Sequence, residues 1–173
     1  GVQTCALPIL QKKLVYRNEV DDPIALPDLT DPEQTSRFLL SLPDVSDKCP
    51  SAKAQLIEAM GIRFHHLGAD LMVCSMPVEG NRQTLGVLHG GANAVLGETT
   101  GSLAANYAAP EGKHAVGSNI FVTHHRPAVA GRVYCVATLT QSGRTLATYF
   151  LKIFSEDGKL TASGTHTCAF VDD

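Results

Sequence analysis

The chain holds 173 residues with a formal net charge of −3, of which 44% are hydrophobic and 18% charged. That length suits one domain and is short for two, and the apolar share can bury a core, which excludes whole-chain disorder. The charge balance gives no basic field for a nucleic acid or an anionic membrane, and no apolar run approaches the roughly 18 residues of a membrane helix, so neither is expected as a partner.

Residues 1–10 (GVQTCALPIL) lack the charged start and long apolar stretch of a signal peptide and read as an assembly scar outside the fold. Residues 11–50 read as a Pro/Asp-rich N-terminal extension, with turn signals at Asp21-Asp22-Pro23, Leu26-Pro27-Asp28, Thr30-Asp31-Pro32 and Leu42-Pro43-Asp44. Within it one short helix is predicted, capped by Asp31, entered through Pro32 and ending near Leu42. The extension is expected to pack on the domain or a partner and to carry no chemistry. Residues 51–173 read as the folded domain.

In that domain 52–60 reads as a helix stopped by Gly61, and 71–76 as a strand covered on both faces. Gly80-Asn81 and Gly86 mark a loop over 79–90. Residues 91–107 (GANAVLGETTGSLAANY) read as a helix of small, almost uncharged residues with Gly97 and Gly101 inside it. Each internal Gly costs about 1 kcal/mol relative to Ala, which is tolerated where another element must approach the backbone closely. Strand patterns follow at 116–123, 132–140, 145–154 and 160–170, with turns at Ala130-Gly131, Ser142-Gly143 and Glu156-Asp157-Gly158. Consecutive strands joined by short turns predict an antiparallel sheet, and the only long apolar element available to cover it is the helix over 91–107.

The five cysteines, Cys5, Cys49, Cys74, Cys135 and Cys168, are odd in number, far apart and form no Cys-x-x-Cys pair. That pattern predicts free thiols and a reducing, cytoplasmic compartment. His65-His66 and His124-His125 are adjacent pairs whose side chains would point to opposite faces of a strand, and no His-Glu-x-x-His array exists, so no metal and no cofactor is expected.

From Gly90 to Pro110 the sole charged side chain is Glu98. A solvent-facing Glu is the ordinary alternative, but an exposed helix face carries several charges and this one carries one. A carboxylate kept on such a helix marks a functional site. Helical spacing places Val95, Thr99 and Ser102 on its face, so the two hydroxyls are candidates to orient it. At the helix start, His89-Gly90-Gly91 reads equally as a tight entry turn or as an oxyanion site of free backbone N–H groups aided by the helix dipole. Gln83 lies in the loop ahead of it. Arg126 and Ser142-Gly143-Arg144, at strand ends, read as ordinary surface or as phosphate contacts.

The run Gln83-x-x-Gly86-x-x-His89-Gly90-Gly91-Ala92, followed by Glu98-x-x-Gly101-Ser102, resembles the hotdog-fold acyl-CoA thioesterases. Within them it is similar to the PaaI-like phenylacetate-pathway branch, which includes hydroxybenzoyl-CoA and dihydroxynaphthoyl-CoA thioesterases. The similarity runs from about Ala59 to Phe170 and includes Met76-Pro77-Val78 and His124-His125-Arg126. The resemblance implies an α+β hotdog fold, with the antiparallel sheet wrapped around a central helix over about 91–107. It also implies homodimers with a continuous sheet and shared sites, paired into a homotetramer. The reaction it implies is hydrolysis of an aromatic or medium-chain acyl-CoA to free acid and CoA.

Carried over by position, Glu98 would be the catalytic carboxylate, acting as nucleophile or as general base. Gly90 N–H would hold the oxyanion, Gln83 would orient the carbonyl or water, His89 would fix the motif and polarise the carbonyl, and Ser102 would hold the water or the thiolate side. Gln83, His89 and Gly90 would come from the subunit facing the one that supplies Glu98. Gly117, His124, His125, Arg126, Gln141, Ser142, Gly143, Arg144 and Thr145 match positions lining the CoA channel. Val122 stands where relatives often carry Asn, and Pro127 and the short Ser142-Gly143-Arg144 turn also depart from the family pattern. Two other readings fit the same fold: a non-catalytic acyl-CoA or aromatic-ligand binding module, against which the presence of Glu98 argues and which acyl-CoA binding without thiol release would favour, and a dehydratase, whose Pro-rich His motif this chain lacks.

Overall fold

The computed structural model describes residues 21–173, so the expectations for residues 1–10 and for 11–20 lie outside the described residues. Six strands form one antiparallel sheet: β1 (Arg63–His66), β2 (Leu71–Pro77), β3 (Lys113–His124), β4 (Arg132–Ser142), β5 (Leu146–Ser155) and β6 (Leu160–Asp172). Their order across the sheet is β1-β2-β4-β5-β6-β3, and every neighbouring pair is antiparallel. Three helices accompany them: α1 (Pro32–Ser41), α2 (Gln55–Ala59) and α3 (Gly90–Ala108).

The sheet curls around α3, as its composition predicted. Inward-facing residues of the strands, among them Cys74, Met76, Cys135, Tyr149, Leu151, Ile153 and Ala162, close on Leu96, Leu103, Ala104 and Ala105 of the helix in one core. The two internal glycines are where the sheet comes closest. A Cβ on Gly97 would fall 2.9 Å from Leu151 Cδ1, and one on Gly101 would fall 2.7 Å from His166 Cδ2. At Gly101 the obstacle is the body of the His166 side chain, so any side chain there would push helix and sheet apart, whereas at Gly97 the end of the Leu151 side chain would have to turn aside.

Three sequence expectations change. The segment 52–60 is a 3₁₀ turn (Pro50–Lys53) followed by α2, because Ala54 is extended and interrupts the helix before Gly61, at φ 64°, ends it. A strand that the sequence did not announce, β1, pairs with β2. The chain from β3 to β4 is not a hairpin: β3 pairs with β6 at the far edge, and the segment after His124 returns to the other half of the sheet. Pairing partners that distant in sequence leave no local signal.

Helix α1 forms as read. The Asp31 carboxylate accepts the Glu33 and Gln34 N–H groups, and Pro32 occupies the first turn, where its missing N–H costs nothing. The extension packs on the sheet's outer face. Ile24, Leu29, Phe38, Leu39 and Leu42 cover Leu71, Val73, Tyr134, Val136 and Phe154. Ser36 Oγ donates to the Glu156 carbonyl at 2.5 Å, and the Asp21 backbone and carboxylate pair with the Leu67 backbone at 2.9 Å. An apolar sheet face needs a cover on each side; α3 supplies one and this strap supplies part of the other.

Candidate active site

The residues singled out by the sequence fall into separate groups within one chain. The first sits at the start of α3. His89 is its N-cap, and the ring Nδ1 accepts the Gly91 N–H at 2.9 Å. That leaves the Gly90 N–H without a protein acceptor among the described residues, at the positive end of a 19-residue helix. Gln83 is held by a tight loop, its N–H donating to the Val87 carbonyl at 2.8 Å and its carbonyl accepting Gly86 N–H at 2.9 Å. Its side-chain amide reaches the Leu88 carbonyl at 3.4 Å. The His124 ring lies over Gly90, where a Cβ would come within 2.9 Å of Nε2, and Asn93 Nδ2 is 3.4 Å from His124 Nδ1.

The second group lies in the middle of the helix. Ser102 Oγ donates to Glu98 Oε1 at 3.0 Å, the i, i+4 contact that the spacing predicts. Of the two hydroxyls proposed to orient Glu98, Ser102 does so, while Thr99 is buried. Gly117 stands against this pair: a Cβ there would fall 3.3 Å from Glu98 Oε1 and 3.4 Å from His166 Cε1. Sequence reasoning missed His166 and Cys168. His166 is 1% exposed; its Nε2 is 3.0 Å from Ser102 Oγ and 3.1 Å from Cys168 Sγ, and its Nδ1 is 2.8 Å from the Asn119 carbonyl. A signal existed, since 162, 164, 166, 168 and 170 form the inward-facing set of β6, and a His among Ala, Gly, Cys and Phe is out of place there.

Burial pushes the His166 pKa below the ordinary histidine value, partly offset by the Asn119 carbonyl and by Glu98, so the ring is neutral at neutral pH. Burial likewise pushes the Cys168 thiol up to about 11, with Ser102 opposing and Glu98 adding, so it keeps its proton. The four cysteines among the described residues are free and buried.

The remaining expected residues are dispersed. His125 Nε2 meets Ser163 Oγ at 2.8 Å and Arg126 reaches the Leu160 carbonyl at 3.1 Å, both at the start of β6. Gln141, Ser142, Gly143, Arg144 and Thr145 are exposed at the β4–β5 turn. Along the sheet Gly117 is in register with Cys168, Ala147 and Ser142, whereas His124 is in register with Ala162, Ile153 and Cys135. Those two rows lie roughly 20 Å apart along β3. Glu98 lies roughly 12 Å along α3 from Gly90. Within one chain, therefore, Glu98 and the Gly90 N–H cannot act on the same carbonyl group.

Burial also lowers the pKa of His65 and His66, as it does that of His166. The folded protein thus binds these protons only below the pH at which the unfolded chain does, near 6.5. Stability is full above that pH and falls as pH drops through and below it. The urea midpoint is expected to decrease steadily from pH 7.5 to 5.5; an unchanged midpoint would contradict the assignment of three neutral imidazoles, two of them buried and His65 half-buried.

A curled antiparallel sheet around one central helix is the fold of the hotdog thioesterases. Residues 85–162 match the thioesterase superfamily. The proofreading thioesterase EntH of Cronobacter turicensis is 38% identical over 105 residues, 60% of this chain and 77% of that protein. A solved thioesterase of Pseudomonas aeruginosa, PA1618, superposes with a TM-score of 0.70 at 32% identity, covering 76% of this chain and 96% of its own. The phenylacetic acid degradation protein PaaI of Thermus thermophilus superposes at 0.60 with 32% identity, covering 66% and 96%. The chain belongs to the thioesterase superfamily and is a hotdog-fold thioesterase. No helix among the described residues is long and apolar enough to cross a membrane.

Proposed function

We propose that the protein hydrolyses acyl-CoA thioesters, with an aromatic or medium-chain acyl group, to free acid and CoA at a site built from two chains. The observation that carries the shared site is the separation just described: the candidate oxyanion donor and the candidate base cannot meet within one chain. A second copy brings them together. Strand β3 is a long edge with Val116 and Phe121 exposed at 41% and 67%, and an uncovered edge of that kind pairs with another strand. An isologous antiparallel pairing centred near Ile120 and Phe121 sets Gly117 of one chain opposite His124 of the other. Glu98 adjoins the first and Gly90 the second.

In this reading the carbonyl oxygen sits on the Gly90 N–H, with Gln83 and His89 fixing the loop around it. Glu98, pinned by Ser102, takes a proton from water as the water oxygen bonds to the carbonyl carbon. The tetrahedral oxyanion then collapses, the C–S bond breaks, and CoA leaves as the thiolate. Gly117, His125, Arg126 and the Gln141–Thr145 turn line the path of the CoA. Residues 51–173 are the catalytic domain, and the strap is structural. Phe121 and Phe150, in one cross-strand row on the outer face with Thr165, are where two dimers would pair into a tetramer. The free thiols fit a reducing, cytoplasmic setting.

The test is free-thiol release across a panel of aromatic and aliphatic acyl-CoAs. Turnover on at least one is expected, and the best of them identifies the acyl class. Acyl-CoA binding without any thiol release would overturn the enzyme reading in favour of a binding module.

A further inference from the structure

We infer that His166 is a positioning residue for the reaction: it is the second acceptor to which the Ser102 hydroxyl turns when Glu98 holds the proton taken from water. This rests on the reading of Glu98 as the base. One hydrogen is shared between two acceptors. Ser102 Oγ is 3.0 Å from both Glu98 Oε1 and His166 Nε2 and has one hydrogen to give. The Asn119 carbonyl, 2.8 Å from Nδ1, can only accept, so Nδ1 carries the proton of the neutral ring and Nε2 is a bare acceptor.

With Glu98 as carboxylate, Ser102 donates to it, the stronger bond because the acceptor is charged. His166 Nε2 is then satisfied by the Cys168 thiol at 3.1 Å. When water gives its proton to Glu98 Oε1, the new O–H donates to Ser102 Oγ, the Ser102 hydrogen rotates to Nε2, and the Cys168 S–H it displaces from that single lone pair turns to Ser102 Oγ, 3.9 Å away. No heavy atom moves and no further reactant is needed. The proton leaves Glu98 for the departing thiolate, and the hydroxyl turns back.

The ring is held for this from two elements. Gly101 of α3 and Gly117 of β3 leave the room it occupies, with hypothetical Cβ atoms at 2.7 Å and 3.4 Å. The register shift in β3 between Gly117 and Asn119 presents the Asn119 carbonyl to Nδ1. A histidine kept only for packing needs no acceptor facing Ser102.

The experiment compares His166→Asn, which keeps an amide donor for Asn119 and nothing for Ser102, with His166→Gln, whose carbonyl reaches the Nε2 position. Each is measured in the wild-type and Ser102→Ala backgrounds. His166→Asn is expected to lower kcat about 10- to 100-fold with KM within about threefold, His166→Gln to recover most of the loss, and neither to matter further once Ser102 is Ala. An equal loss in the Ser102→Ala background, or a loss carried by KM, would overturn the inference. His166→Leu, of similar volume without an acceptor, gives the same comparison if the Asn variant does not fold. Glu98→Gln is assayed in parallel. If it keeps turnover, the base assignment fails and the inference with it; if it is dead while His166→Asn is fully active, the inference alone fails.

Discussion

Glu98→Gln is expected to lower kcat for acyl-CoA hydrolysis by about 10³ while acyl-CoA binding and thermal stability stay close to wild type. The substitution keeps shape and keeps an oxygen to accept from Ser102 Oγ, now 3.0 Å from Oε1, so the helix and its contacts are undisturbed. What is lost is the charge that draws the proton from water. Glu98 is the sole charged side chain on α3, so no neighbouring carboxylate on that helix can substitute. Steady-state thiol release with a parallel binding titration checks this. Undiminished turnover would remove Glu98 from the mechanism; lost binding with intact kcat would make it a ligand contact.

The largest effect on stability is expected from Gly164→Ala. Gly164 lies on β6 where β3 crosses it, opposite Val122, and a Cβ there would stand 1.9 Å from the Phe121 carbonyl oxygen and 2.9 Å from its carbon. The obstacle is backbone, not the end of a flexible side chain, so relief requires β3 to move off β6. A cost of roughly 3 kcal/mol or more is expected, at the upper end for a single methyl group. Activity should fall with it, because β3 carries Gly117, the Asn119 carbonyl and the edge proposed for dimer pairing. A chemical-denaturation midpoint within error of wild type would show that β3 yields more readily than its pairing implies.

Much of this architecture was legible in the chain. A helix with one charge among small residues between Gly90 and Pro110 announced both the buried element and its candidate functional residue, and period-two patterns with Gly131 and Gly158 at the turns marked the later strands. Strand β1 was not, because Arg-Phe-His-His carries only one apolar residue and acquires its identity from β2. The edge position of β3 was hidden for the same reason: it is settled by pairing with β6, distant in sequence. The apolar strap residues were obscured among Pro and Asp turns, so their destination on the outer sheet face could not be read.

At the site, Glu98, Ser102 and His89-Gly90-Gly91 were individually visible. Their division into two groups follows from helix rise and strand length, and appears only once α3 and β3 are laid out in space. His166 escaped notice since it stands alone, without a motif, and gains its meaning from a bulge in a neighbouring strand.

The central claim is that one catalytic site takes Glu98 from one chain and the Gly90 N–H from another, and subunit mixing tests it most directly. Gly90→Pro removes that N–H at the first helical position, where Pro is tolerated, after a His89 already extended at φ −68°, ψ 133°. A Cβ at this position would meet the end of the His124 side chain, at 2.9 Å from Nε2. Gly90→Pro and Glu98→Gln are each expected to be nearly inactive alone. After unfolding and refolding together in equal amounts, half of the dimers are hybrids, and each hybrid holds one intact site. Thiol release should therefore return to about a quarter of wild type. If the mixture stays as inactive as its components while hybrid dimers are shown to form, Glu98 and Gly90 do not share a site across chains, and the account is wrong.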